Sequence, residues 1–245
     1  WLIVIVFKYS RLQFSFEYIK EYIILSTPLV LSILISGSAQ YIDSFIISYK
    51  YDEATFAVFR YGARELPFIV LLISAFGNAM TPRFSNPSNI KSASTELKSG
   101  TKRLMHFLFP TSILFILTSK YLYPIVFNPE FGESAIIFNI YILIVVTRFV
   151  FARIILIGLK KTKTIFYSSL IEIVLNIALS LLFIQYWGIA GVAYATVVSY
   201  IIEKLYLVIV LSRKYKIDLK QYLDIKVYLI YSTILILAFI LSIFL

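Results

Sequence analysis

Long apolar runs, broken at intervals by short polar stretches, set the pattern of this chain. Seven runs are long enough to approach the ~20 residues that cross a bilayer core: 22–48, 54–80, 104–126, 135–159, 165–185, 189–211 and 227–245. A shorter run, 1–7, has no initiator Met and no basic flank before it, unlike a signal peptide. It reads as the tail of a further helix. Run 54–80 is the weakest of the seven, because Arg60, Arg64 and Glu65 occupy its first half. Barrel strands would be shorter and would alternate in polarity, so the runs predict helices.

The connections between runs test the count. Lys and Arg number 3 in 8–21, 1 in the next connection, 5 in 81–103 and 1 in 119–134. They then number 3 in 160–164, none at the turn near Trp187–Gly188 and 5 in 212–226. This alternation follows the positive-inside rule and places 8–21, 81–103, 160–164 and 212–226 in the cytoplasm. It also requires the weak run 54–80 to cross, since otherwise every later connection falls out of phase. The expected fold is all-α, a polytopic transmembrane bundle of about seven complete spans plus a truncated N-terminal one.

Composition agrees. Of the 245 residues, 60% are apolar and only 15% charged, and the mean hydropathy is +0.87. A soluble domain of this size has too few charges here to cover its surface. The net charge of +10 is dispersed over the cytoplasmic connections, so it sets topology and attracts anionic membrane lipid rather than nucleic acid. With no Cys and one His (His106), cysteine chemistry and His-clustered metal sites are excluded. No nucleophile elbow, Gly-rich phosphate loop or zinc-protease motif occurs, so neither an enzyme nor a cofactor is expected.

Polar residues inside the runs fall into stripes. Ser32, Ser36, Gln40 and Asp43 share one helix face at spacings of 4, 4 and 3. Ser169, Glu172, Asn176 and Ser180 share another, and Thr196, Ser199, Glu203 and Tyr206 a third. Two readings stay open: close packing through small hydroxyls, or a hydrated interior. Arg60 and Arg64, one turn apart, suit bidentate capture of phosphate or carboxylate, or else anchor at the interface. We expect them to face the Gln40–Asp43 stripe, with Asp43 holding one arginine. Arg153 and Glu172 lie ~10–12 Å from the cytoplasmic ends of their helices and are expected to pair. Glu203 and Lys204, at similar depth, complete a structural or gating charge layer. Arg148, ~18 Å deep with no acidic residue of the next helix at its level, is the leading candidate for contact with an anionic substrate.

The order of segments adds a resemblance. TPLVLSILISGSAQYIDSFIIS (27–48), FRYGARELPFIVLLISAFGNAMTPRFS (59–85), TRFVFARIILIGLKKTK (147–163) and SLIEIVLNIALSLLFIQYWGIAGVAYATVVS (169–199) resemble polysaccharide-biosynthesis flippases of the multidrug/oligosaccharidyl-lipid/polysaccharide exporter superfamily. The resemblance implies that residues 1–245 form one transmembrane domain. It would be the second helical bundle of a larger alternating-access transporter, truncated at its N-terminus, with truncation at its C-terminus left open. It further implies a bacterial plasma (inner) membrane location. The implied cargo is an isoprenoid-diphosphate-linked oligosaccharide for surface polysaccharide, lipopolysaccharide included, with other polysaccharide-assembly proteins as partners. Arg60, Arg64 and Arg148 are then the candidates for holding the diphosphate, with Gln40 and Asp43 beside them.

Two alternatives are weighed against this. A cation-coupled exporter of drugs or metabolites would favour an acidic cavity, whereas Arg148 and Arg153 favour an anionic cargo. A membrane polysaccharide polymerase calls for a large outer loop with catalytic Arg or His, and the outer connections here are short and lack His.

Overall fold

In a computed structural model of the chain, Val4, Ile5, Lys8 and residues 15–244 are described, with backbone only at Ala39, Gln40 and Pro87. The opening run 1–7 therefore lies outside the described residues except for Val4 and Ile5, which are helical. Helices dominate, and no strand occurs among the described residues.

The first long helix, α1 (Phe16–Lys50), carries Pro28 in its interior. Next come α2 (Glu53–Gly62), capped by Asp52 Oδ1 accepting from the Thr55 amide at 2.9 Å, and α3 (Pro67–Met80). Run 54–80 is thus one broken element. Pro67 has no amide hydrogen and disfavours helical geometry in the residue before it, and Leu66 is accordingly extended. After two short 3-10 turns, α4 (Ile90–Val126) spans 37 residues. Run 135–159 is broken as well, into α5 (Ser134–Ile142), α6 (Val145–Arg148) and α7 (Ala152–Gly158), with a 45° bend before α7.

The next element, α8 (Thr162–Tyr215), has a continuous helical assignment yet is a hairpin. Gly188 has φ 58° and ψ −139°, a backbone that side chains resist, and the chain reverses there. Contacts from 176 to 196 and from 168 to 203 confirm two antiparallel arms, 162–187 and 189–215. A short α9 (Leu219–Tyr222) leads to α10 (Ile225–Phe244). Counting the broken elements as single spans and the hairpin as two gives seven candidate crossings among the described residues, the number that the charge alternation requires.

In the packing, α1 lies along both arms of α8, α10 along α4, and α5 between α2, α4 and α8. Burial is inverted relative to a water-soluble protein. Leu, Val and Phe side chains such as Phe16, Leu34, Phe45, Leu71, Val174 and Leu237 point outward. Ser32, Asp43, Ser169, Glu172, Asn176, Ser180, Thr196, Ser199 and Glu203 are all buried. Such an apolar exterior would aggregate in water but is matched to lipid tails. The three stripes therefore face one another, and their polar groups bond across the seam between α1 and α8.

Candidate functional site

A cavity of about 590 Å³ opens between α1, the α2–α3 break, the α5–α6 break and the second arm of α8. Arg60, Arg64, Glu65, Arg148, Asp43 and Tyr200 are among its lining residues. Four of the five substrate-site candidates, Arg60, Arg64, Arg148 and Asp43, are thus gathered on one wall. The side chain of the fifth, Gln40, lies outside the described residues.

The pairings inside the cavity differ from expectation in two ways. Arg148 has a carboxylate partner after all: Glu65 receives Nε at 2.8 Å and also Nη2, a bidentate grip. The break at 63–66 takes Glu65 out of helical phase with Arg60 and turns it towards α6. The Arg148 guanidinium also lies 5.2 Å from the Tyr200 ring centroid, close enough for a cation–π contact. Asp43 holds no arginine. Its Oδ2 accepts from Thr196 Oγ1 at 2.7 Å and Tyr141 Oη at 3.1 Å, because its face of α1 meets α5 and the second arm of α8.

Arg60 and Arg64 do not share one regular helix turn, since α2 ends at Gly62. Both are exposed to the cavity, and neither forms an ion pair among the described residues. Arg60 Nη1 donates to Ser44 Oγ at 3.2 Å, and Arg64 sits 5.9 Å from the Tyr61 ring centroid. The wall therefore presents two guanidiniums whose charge no carboxylate has taken, beside a third held rigidly by Glu65. Such groups bind phosphate oxygens bidentately and remain charged at any physiological pH.

At the edge of the cavity, Asn176 Nδ2 donates to Thr196 Oγ1 at 3.0 Å, while Asp43 Oδ1 and Asn176 Oδ1 are buried without a hydrogen-bond partner among the described residues. These are oxygens of the hard type that alkali and alkaline-earth cations take. No group of three or more His, Cys, Asp or Glu placed for a metal ion occurs among the described residues.

A second charged cluster lies towards the end of the bundle that carries the basic connection 160–164. Arg153 Nη2 donates to Glu203 Oε1 at 3.1 Å and to Ser169 Oγ at 2.9 Å, and Lys204 Nζ lies 2.8 Å from Glu203 Oε2. The expected Arg153–Glu172 pair is not formed. The two residues share a depth, but azimuth decides, and Glu203 on the opposite arm faces α7 where Glu172 faces Ser36 of α1.

Glu65, Tyr141 and Tyr200 were missed as candidates. Tyr200 had a signal, lying four residues after Thr196 on the same stripe. Tyr141 had none, lying between apolar neighbours and on no polar stripe.

A family model described as "Lipid II flippase MurJ" matches residues 4–245. The chain belongs to this family. No curated protein matches it. Among solved structures, "Lipid II flippase MurJ, inward closed conformation" is similar with a TM-score of 0.62 and 18% identity, over 95% of this chain and 55% of that one. A transporter of the multidrug/oligosaccharidyl-lipid/polysaccharide superfamily from Pyrococcus furiosus gives 0.58 and 16%, over 91% and 52%. An outward-facing multidrug transporter of the same superfamily gives 0.56 and 18%, over 87% and 50%. The chain thus spans about half the length of these solved relatives, and at such identities they establish the shared fold. Together with the apolar helices, MurJ-family membership makes this a multi-pass protein of the bacterial inner membrane.

Proposed function

We propose that this chain forms one wall of a flippase cavity and that Arg60, Arg64 and Arg148 bind the diphosphate of an isoprenoid-linked glycan during alternating access. The observation that carries this reading is the pair of guanidiniums without carboxylate partners in a 590 Å³ cavity. A diphosphate spreads its negative charge over several oxygens and suits two or three guanidiniums at once. Within this class we favour lipid II, the cargo in the family name, over a surface-polysaccharide precursor. The protein then acts as a transporter and makes or breaks no covalent bond in its cargo. Residues 1–245 would be the second bundle of the full transporter, the first supplying the opposite wall. A cationic drug is a poor match, because it would meet three arginines.

The test is conditional depletion of the full-length protein, followed by accessibility of lipid-linked precursors on each leaflet. Retention of lipid II on the inner leaflet, restored by the wild type and not by Arg60→Ala/Arg64→Ala at equal membrane levels, is the expected result. Normal lipid II export with loss of surface polysaccharide would move the assignment to an oligosaccharide-lipid cargo. Normal export of both would overturn it.

A further inference from the structure

The buried carboxylates of the cytoplasmic cluster are not equivalent. Glu203 is 1% exposed and has three contacts: its Oε1 accepts from Arg153 Nη2 at 3.1 Å and from Ser168 Oγ at 3.0 Å, and its Oε2 lies 2.8 Å from Lys204 Nζ as an ion pair. Two of the three are cations, so its charge is compensated. Glu172, one helix away and 2% exposed, forms no ion pair among the described residues and has one hydrogen bond, to Ser36 Oγ at 2.9 Å. An ionised carboxylate with a single neutral donor in a membrane interior is costly, and protonation relieves that cost.

The groups around Glu172 come from every element packed there. Arg153 enters from α7, Glu203 and Lys204 from the second arm of α8, and Ser36 and Ser32 from α1. Ser169 lies on its own arm, and Tyr200 stands one turn before Lys204 on the second arm. Arg153 and Lys204 together exceed Glu203 by one positive charge. That excess favours ionisation and opposes burial, so the proton at Glu172 is exchangeable rather than permanent.

The hydroxyls are arranged for such an exchange. Ser36 Oγ lies 3.1 Å from Ser169 Oγ, which lies 3.2 Å from Ser32 Oγ, so Glu172, Ser36, Ser169 and Ser32 form one chain of oxygens. Each hydroxyl has one hydrogen and can also accept. The chain points towards Glu172 when the carboxylate is ionised and away from it when protonated, keeping its contacts in either state. Glu203 differs, since two of its three contacts are a guanidinium and an ammonium, which have no acceptor atom.

We propose that Glu172 is a proton-binding site. It holds a proton while Arg153 is engaged by Glu203. It releases that proton, through Ser36, Ser169 and Ser32 to water at the cytoplasmic end of the bundle, when the guanidinium turns to it. The ligand is H⁺, and the reading stands whether the cargo is lipid II or another molecule.

The experiment is infrared difference spectroscopy of the full-length protein in lipid, titrated from acid to alkaline pH in H₂O and D₂O. The expected signature is a protonated-carboxyl C=O band that shifts in D₂O and persists in Asp43→Asn, a deeply buried acid outside this cluster. Glu172→Gln removes the band. Ser36→Ala, a mild change, keeps its amplitude but moves its frequency, because the one hydrogen bond is lost. Glu203→Gln frees Arg153 and Lys204 for Glu172 and abolishes the band at neutral pH. A band indifferent to both Glu172→Gln and Ser36→Ala, or no such band at any pH, overturns the proposal.

Discussion

Arg148 and Glu65 have side chains 25% and 23% exposed, joined by two nitrogen–oxygen contacts across two broken spans. Removing one partner of a largely buried pair leaves the other charge uncompensated, at a cost of ~3–5 kcal/mol when burial is complete. The residual exposure brings our expectation to about 2–3 kcal/mol for either Arg148→Ala or Glu65→Ala. The double variant should fall short of the sum by ~1–3 kcal/mol, since both ends of one interaction are then gone. Unfolding of the full-length protein in detergent, as a double-mutant cycle, measures the coupling. Strict additivity would show that the pair is not an energetic unit. At this scale the arginines were legible because a charge in an apolar run has few reasons to be there. Their partners were not: Glu65 sits next to Arg64 in sequence, yet the backbone break hands it to Arg148. Depth along a helix is readable from residue count, whereas azimuth in an irregular helix is not, and so Arg153 was matched to Glu172 instead of Glu203.

The hairpin of α8 depends on two glycines with different tasks. Gly188 supplies the positive φ that reverses the chain. Gly191 lets the arms close, because a Cβ there would come within 2.3 Å of the Phe183 carbonyl oxygen, a backbone atom that cannot swing aside. Gly191→Ala should therefore push the arms apart and disturb the Asn176–Thr196 contact, costing at least the ~1–3 kcal/mol of an overpacked core. Gly37, in the middle of α1, has nothing within 4 Å of its would-be Cβ. Gly37→Ala should instead stabilise by ~0.5–1 kcal/mol, the helix preference for alanine. Melting of the two variants side by side, in one detergent, gives opposite signs if the hairpin is built as described. A harmless Gly191→Ala would mean that the arms are looser. The hairpin was legible as the turn near Trp187–Gly188, whereas the break before Pro67 lay inside a run read as one crossing. The break between α5 and α7 was not legible either, since no Pro or Gly lies in 143–151 and tertiary packing alone imposes it.

For the whole molecule, the inside-polar, outside-apolar arrangement and the charge of the connections must agree on one topology, and the vulnerable link is the broken α2–α3 span. Its two helices, 10 and 14 residues long, reach ~15 and ~21 Å at 1.5 Å per residue. Only their sum exceeds the ~30 Å core, so both must point across for the chain to cross there. Residues 1–245 contain no cysteine, so once any cysteine elsewhere in the protein is replaced, each introduced thiol is the sole label site and this is directly measurable. Lys50→Cys, Glu130→Cys and Gln185→Cys, all at exposed positions in outer connections, should react with a membrane-impermeant maleimide in intact spheroplasts. Ser88→Cys, Lys163→Cys and Lys214→Cys, equally exposed but in the basic connections, should react only after permeabilisation. The decisive comparison is Lys50 against Ser88, which bracket the broken span. Labelling of both from the same side would make α2–α3 re-entrant and move the connections that follow, including the basic 160–164, to the opposite face. That outcome would contradict the positive-inside distribution and would turn the mouth of the arginine-lined cavity towards the wrong leaflet for loading at one surface and release at the other.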